Sequence, residues 1–482
     1  MTTNLVQPVP VPDLATVGHA HLMAIGGAGM SPIAHLLAAR GIEVDGCDHA
    51  ESDAVTALRA DGIPVAIGHD PAHLAGVGAL VVSSAIRDTN PELVAARAAN
   101  LPVWHRSAAL AALMAEHLGV AVTGTHGKST TSAMVATSLA TLDPSYVVGA
   151  VINQTGAAFR AGRPGGVFVI EADESDGSFL QYQPEVVVVT NIEADHLDRW
   201  GTPQDYAAGF ERLVSGPSVR RVVLSADDPG TVALAERLGT PALTFGEADG
   251  ADVGVRDIAL QGLGSSATID WPGGSAQLEL QVPGRHNVLD AAAAVAAALA
   301  LRDLGVEVDI GDVIASLAQF AGTGRRFQVV GQARGVTIVD DYAHHPTEVA
   351  ATLTAARAAI GPRQRLVVCF QPHLYTRTRD FADAFGQALA LAPLVCVTDV
   401  YAAREDPIPG VTGKLVADAA HAHGAVTKYV PTLDDAISTL VDLVEGPVLM
   451  PGDLIVTMGA GDVTQVGPRV LAKLNGGGDD ER

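Results

Sequence analysis

The segment VAVTGTHGKSTTSAMVATSLA sets Gly124, Thr125, His126, Gly127, Lys128, Ser129 and Thr130 between an apolar run and a helix-forming run. Such a turn can hold a polyphosphate. Its glycines let backbone N–H groups curl around phosphate oxygens, and the helix N-terminus adds partial positive charge. A lysine bridges the terminal phosphates, and a serine hydroxyl reaches Mg²⁺. The common loop reads GxxxxGK[ST]; here Gly124 precedes Gly127 by three, so the loop is shorter. The chain has only four lysines, Lys128, Lys414, Lys428 and Lys473, so the single lysine of its first 413 residues stands at this turn. A Gly-rich turn with an incidental lysine would be the structural alternative, and that scarcity argues against it.

Two acidic runs follow apolar runs of strand length. VFVIEADESDGSF carries Glu171, Asp173, Glu174 and Asp176; VVVVTNIEADHLD carries Glu193, Asp195, His196 and Asp198. Carboxylates gathered at C-terminal ends of parallel strands lie where α/β proteins bind ligands, and close to a phosphate loop the natural cation to relieve their repulsion is Mg²⁺. A single such run would read as a solvated loop; two in succession favour a site.

Near the N-terminus, HLMAIGGAGMSPIAHLLAARGIEVDGCD reads as strand, Gly26-Gly27-Ala28-Gly29-Met30, helix, and a second strand ending at Asp48. It fits a nucleotide diphosphate, NAD, or a tight strand–helix turn. In the last third, three polar segments end apolar runs. Asp340, Asp341, Tyr342, His344 and His345 precede a helix starting near Pro346. His373, Arg377 and Arg379 follow a second run, and Asp399, Arg404, Glu405 and Asp406 a third. No third close ligand accompanies the paired histidines at a zinc spacing, so the arginines point instead to carboxylate recognition.

The elements that must position these residues are read from hydrophobic runs. Residues 21–25, 79–83, 120–123, 167–170, 186–190, 221–225, 365–370 and 453–457 are near-continuous in Val, Ile and Leu and alternate with Ala/Leu stretches of helical length. Strands of that kind are buried on both faces, which predicts parallel sheets flanked by helices. Residues 252–283 instead alternate polar and apolar around Gly-rich turns and predict a small antiparallel meander, followed by a helix over 287–304. Boundaries near 117 and in the Gly-rich joint near 322 divide 482 residues into three α/β domains, 1–117, 118–322 and 323–482. The tail NGGGDDER reads as disordered.

Composition narrows the partners. Thirty basic against 54 acidic residues leave a formal net charge of −24, which excludes general attraction to nucleic acid or anionic membrane. Three scattered cysteines, Cys47, Cys369 and Cys396, form no CxxC and predict a reducing, cytoplasmic setting. No basic-then-apolar leader and no apolar run of about 20 residues occurs, so neither a signal peptide nor membrane insertion is read.

Together GGAGMS, GTHGKST, EADESDGSF, TNIEADHLD, GRHN (284–287), RRF (325–327), DDYAHHPTE and FQPHLYTRT resemble the Mur ligases over roughly residues 19–465. The resemblance implies three domains: an N-terminal Rossmann-like UDP-binding domain, a central P-loop ATPase-like domain with the small antiparallel sheet, and a C-terminal Rossmann-like domain that closes over them with the amino acid. It implies a monomer or homodimer that uses ATP and Mg²⁺ to join L-alanine to the lactoyl carboxylate of UDP-N-acetylmuramate through an acyl phosphate. Family members that add a whole tripeptide are the nearest alternative, and FQPHLYTRT favours the alanine-adding type. By the same resemblance Gly27, Ala28, Gly29, Met30 and Asp48 belong to the UDP site. Residues 124–130 hold ATP, and Lys128, His196, His344 and Arg377 are the catalytic set. Ser129 and Glu171 ligate one Mg²⁺ and His196 the second. His286 and Asn287 lie at adenine, and Arg326 and Asp341 contact phosphate and ribose. Tyr342, His344 and Arg377 form the alanine site. Two departures stand out. Several Mur ligases hold the second metal with a carbamylated lysine, which is impossible in a chain with no lysine between Lys128 and Lys414. Some members also place an arginine where this chain has Leu374.

Overall fold

A computed structural model describes residues 5–239, 241–403 and 405–476; Arg404 and most of the C-terminal tail lie outside them. The first sheet comprises β1 (His19–Met23), β2 (Glu43–Asp48), β3 (Val65–Ile67), β4 (Ala79–Val82) and β5 (Val103–His105). All are parallel, in the order β3-β2-β1-β4-β5.

The second sheet has ten strands: β6 (Leu118–Thr123), β7 (Ser145–Ile152), β8 (Ala157–Arg160), β9 (Val167–Glu171), β10 (Val186–Val189), β11 (Arg221–Ser225), β12 (Leu243–Gly246), β13 (Val253–Gln261), β14 (Gly264–Trp271) and β15 (Gly274–Leu280). Their order is β15-β14-β13-β12-β11-β10-β6-β9-β7-β8. The predicted meander is present as β13–β15, but β12 pairs with β13, so it extends the central sheet rather than forming a sheet of its own. The third sheet runs β16-β17-β21-β18-β19-β20, from β16 (Gln328–Ala333), β17 (Val336–Asp341), β18 (Leu366–Phe370), β19 (Leu394–Val397), β20 (Val426–Tyr429) and β21 (Leu454–Met458). Only β16 runs antiparallel to its neighbour there. The loops after β17, β18 and β19 therefore open at one edge.

The continuous Val/Ile runs behave as expected of strands covered on both sides. Val186 to Val189 are all fully buried. Val186 and Val188 join the core under the helix Arg285–Asp303, whose Ala291–Ala298 stretch is wholly buried. Small side chains let that helix lie close against the strands. Val187 and Val189 join the opposite core, which continues through the helix Arg106–Met114 into the first sheet's Ala20, Leu22 and Val81. The first two sheets thus share one apolar layer, and a few residues, Ala115 to His117, separate the helix from β6. Between the second and third sheets the joint is stitched to the end of β7: Gly324 N donates to Val151 O (2.8 Å) and Asn153 Nδ2 to Ala321 O (2.8 Å). Among the described residues no helix is long and apolar enough to cross a membrane.

Candidate active site

The phosphate loop joins β6 to the helix Lys128–Ser138. Gly127 precedes the helix at φ +81°, and no side chain caps the first turn. Gly124 has φ +137°, and a Cβ there would overlap Thr190 Oγ1. Both positions therefore require glycine. The loop is gripped by the end of β10. Thr190 Oγ1 donates to His126 O (2.6 Å), His126 N to Asn191 Oδ1 (2.8 Å), and Thr125 Oγ1 to Glu193 O (2.8 Å).

Lys128 Nζ donates to Gly124 O (2.7 Å) and Thr125 O (3.0 Å) and lies 2.8 Å from Glu174 Oε2. Burial opposes its charge, but Glu174 and Asp173 outweigh that and raise the lysine's pKa. Glu174 is fully buried. Desolvation pushes its carboxyl up to about 7 although Lys128 pulls the other way. An aromatic cluster of Phe179, Trp200, Tyr206 and Phe210 fixes it: Trp200 Nε1 donates to Glu174 O (2.9 Å) and Tyr206 OH to Glu174 Oε1 (3.2 Å).

Ser129 Oγ donates to Glu171 Oε1 (3.0 Å), so the two expected metal ligands touch. His196 adopts φ +52° ahead of the short helix Leu197–Trp200, with Nε2 3.8 Å from Glu174 Oε1 and 3.6 Å from Asp195 Oδ2. Burial, and the Arg377 and Lys128 charges, lower its pKa, which favours the neutral, ligating imidazole. A hydroxyl, carboxylates and one imidazole make a mostly oxygen donor set, which fits Mg²⁺ better than a thiophilic ion.

The third sheet's loops close onto this cluster. Arg377, only 6% exposed, places Nη2 3.2 Å from both Asp195 oxygens. Thr347 Oγ1 donates to Glu193 Oε1 (2.9 Å). His126 bridges the two sides, with Nε2 3.0 Å from Glu193 Oε2 and Nδ1 3.3 Å from Glu348 Oε1. Arg325 and Arg326 stack over the Tyr342 ring at 4.8 and 5.1 Å, and that ring meets His344 edge-on. Burial drives the His344 imidazole down to about 3. His196, Arg325, Phe327 and Leu374 all have positive φ in these loops, and such backbone costs about 1–3 kcal/mol per residue where surrounding structure imposes it.

The His126 bridge has a pH signature. Burial opposes its charge, but the Glu193 and Glu348 carboxylates raise its pKa from 6.5 to about 9, while burial and His126 itself lower that of the nearby His345. The clamp's contribution is fully present below 6.5 and is lost as pH rises through about 9. Fluorescence transfer between labels on the second and third sheets is expected to show loosening across that window. In His126→Ala the transition should vanish; an unchanged titration would refute the clamp.

Several expected residues occupy other environments. Both Asp341 oxygens are engaged internally, accepting from Phe327 N (2.8 Å), Ala343 N (2.8 Å) and Thr352 Oγ1 (3.2 Å). Asn287 Nδ2 donates to Pro283 O (2.6 Å), and His286 beside it is lowered to about 4 by burial and by Arg326. Arg379 is 52% exposed and pairs with Asp380. Met30 is buried at the head of the helix Ser31–Ala39. Asp48 Oδ2 accepts from Gly26 N (3.0 Å), which ties β2 to the first glycine loop.

Sequence reading missed Arg106, the first residue of its helix. Its guanidinium lies 3.4 Å from where a Gly29 Cβ would sit, and it stands half-buried in the field of Asp173, Asp176 and Glu171. It links the first glycine loop to the acidic loops. Glu348 was missed as well, although capping its own helix and binding His126 make it central. A glutamate three residues after His345, ahead of an apolar run, is a capping-box signal that could have flagged it.

Comparison with known proteins agrees across the chain's length. Residues 19–118 match the model for the Mur ligase family catalytic domain, 122–298 the Mur ligase middle domain, and 325–461 the Mur ligase glutamate ligase domain. A UDP-N-acetylmuramate–L-alanine ligase from Cutibacterium acnes is 51% identical over 98% of this chain and 99% of its own. One from Kineococcus radiotolerans is 52% identical over 96% and 98%. The crystal structure of a UDP-N-acetylmuramate-alanine ligase from Thermotoga maritima superposes with a TM-score of 0.77 at 29% identity, covering 95% of this chain and 99% of that one. The chain belongs to the Mur ligase family.

Proposed function

We propose that this chain joins the amine of L-alanine to the lactoyl carboxylate of UDP-N-acetylmuramate in the cytoplasm, using ATP and releasing ADP and phosphate, as a step of peptidoglycan precursor synthesis. The observation that carries this reading is full-length identity of about half to relatives bearing that activity in their names. The site supports the same class of chemistry: one phosphate-loop lysine, carboxylates that need a cation, and a third sheet whose arginine reaches across to them. Residues 1–117 would bind the UDP-sugar through the loop Gly27–Met30, with Asp48 shaping the loop and Arg106 facing the acyl end. Residues 118–322 would bind ATP through Gly124–Thr130, with His286 and Asn287 toward adenine. Residues 323–482 would bring Arg326, Tyr342, His344 and Arg377 to close the site.

In this reading Lys128 leaves its loop carbonyls to hold the terminal phosphates. Ser129 and Glu171 would hold one Mg²⁺ and His196 a second, and such ions would supply charge neutralisation for the phosphates. Tyr342, His344 and Arg377 orient alanine so that its amine attacks the acyl phosphate. The third domain, docked through His126 and Asp195, keeps water away from that reactive group. Asp341 shapes the loop that carries Tyr342 and His344.

Phosphate release from ATP plus UDP-N-acetylmuramate, measured with L-alanine and with the tripeptide of the recycling type, tests the assignment. Turnover with alanine alone supports it; turnover with the tripeptide alone overturns the alanine assignment. His196→Ala is expected to shift the Mg²⁺ activation midpoint upward about 10-fold or more, as loss of a metal contact does. An unchanged Mg²⁺ titration removes His196 from the metal site.

A further inference from the structure

Outside this site, beside His69, whose Nδ1 lies 3.2 Å from Cys47 Sγ and 3.4 Å from Glu92 Oε2, the face of the first sheet away from the shared core holds four side chains whose ligating atoms converge and which have no part in the reaction above. They are His21 on β1, Cys47 on β2, His73 in the short 3-10 turn Pro71–Leu74, and Glu92 in the helix Pro91–Ala98. His21 is 1% exposed, and Cys47 and Glu92 are fully buried. Cys47 Sγ donates to Glu92 Oε2 (3.0 Å), and His73 Nδ1 lies 2.6 Å from Glu92 Oε1. His21 Nε2 points at Glu92 Oε2 from 3.8 Å, is buried, and has no hydrogen-bond partner. One ligating atom from each of the four lies within 4.8 Å of all the others.

We propose that His21, Cys47, His73 and Glu92 form a structural Zn²⁺ site. Zinc ligands at about 2.0–2.3 Å in a tetrahedron stand roughly 3.3–3.7 Å apart, and the spacings above bracket that range. A thiolate with two imidazoles selects zinc over the hard cations of the nucleotide site. Charge also balances. Cys47 gives up its thiol proton, the imidazoles bind neutral, and thiolate and carboxylate together cancel the dication, leaving a buried site of zero net charge. The supporting shell is built: His21 Nδ1 is 2.6 Å from Asp45 Oδ1, the hydrogen bond that aims the other ring nitrogen at a metal. A cavity of about 270 Å³, lined by His21, Asp45 and His73, provides the way in. Four protein ligands leave no open position, so the role is structural. Cys47 adjoins Asp48, whose bond to Gly26 holds the first glycine loop, so the metal stiffens that loop from behind.

The full-length protein, saturated with Zn²⁺ and then dialysed in Mg²⁺ buffer, is expected to retain one zinc per chain by elemental analysis. Co²⁺ in its place should give a thiolate-to-cobalt charge-transfer band. Cys47→Ser should abolish the band. His73→Gln, at the more exposed rim of the cluster, should weaken zinc binding by about 100-fold or more, exceeding the effect of an outer-shell change. Retention well below one zinc per chain, or a cobalt spectrum without the thiolate band, would show that these groups merely share protons. A band that survives Cys47→Ser would place the metal at Cys369 or Cys396 and equally overturn the site.

Discussion

Lys128→Ala is expected to lower ligation by about 10³-fold or more, the scale on which loss of a preorganised charge at a developing anion is felt. The structure adds a second consequence. Lys128 is the cation paired with Glu174, a fully buried carboxyl. Removing one partner of a buried pair costs about 3–5 kcal/mol because the other is left uncompensated. Glu174 already sits near 7, and without Lys128 it should stay protonated at neutral pH. The sign follows: a carboxyl raised by burial destabilises the fold as pH rises through its value, so Lys128→Ala should lose stability on the alkaline side. Adding Glu174→Gln should recover much of the melting temperature and none of the turnover. Turnover retained in the single variant would remove Lys128 from phosphate handling. Activity recovered in the double variant would show that its role is only to neutralise Glu174.

Lys128 was legible because the chain rations lysine, and its loop because glycine spacing and a following helix are local features. The buried strands were legible for the same reason: runs such as Val186–Val189 declare themselves without knowledge of neighbours. Strands β7 and β8 were not, because they are partly exposed at a sheet edge and their pattern is weak. Of the acidic runs, sequence named the carboxylates but not their division of labour. Glu171 faces Ser129, Glu174 faces Lys128, and Asp195 faces Arg377, a pairing set by how the third sheet docks. The cluster at His21, Cys47, His73 and Glu92 lay beyond reach because its members come from four separate elements. Their spacing along the chain matches no metal motif, and only the parallel register that sets Met23 beside Cys47 and His21 beside Asp45 brings them together.

That docking makes Arg377→Ala the second large effect. The family resemblance assigns Arg377 to the alanine site; in the structure it pairs with Asp195 and holds the third sheet to the second, with both side chains nearly buried. Burial works against the Asp195 carboxylate, yet His196 and Arg377 hold it well below the usual range. Deleting the guanidinium removes one of those supports, lifts the Asp195 value, and lets the His196 imidazole rise, since Arg377 is among the charges depressing it. Two measurements separate the roles. If Arg377 binds the alanine carboxylate, KM for alanine should rise about 100-fold or more, the scale of about 3 kcal/mol for a charge-assisted bond, while KM for ATP changes little. If it acts only through docking, both should rise together, and Asp195→Asn should reproduce the pattern. The expected result is the larger alanine effect, with a smaller loss shared by Asp195→Asn. Equal effects on both substrates would assign Arg377 to closure alone and leave Tyr342 and His344 to carry the amino acid.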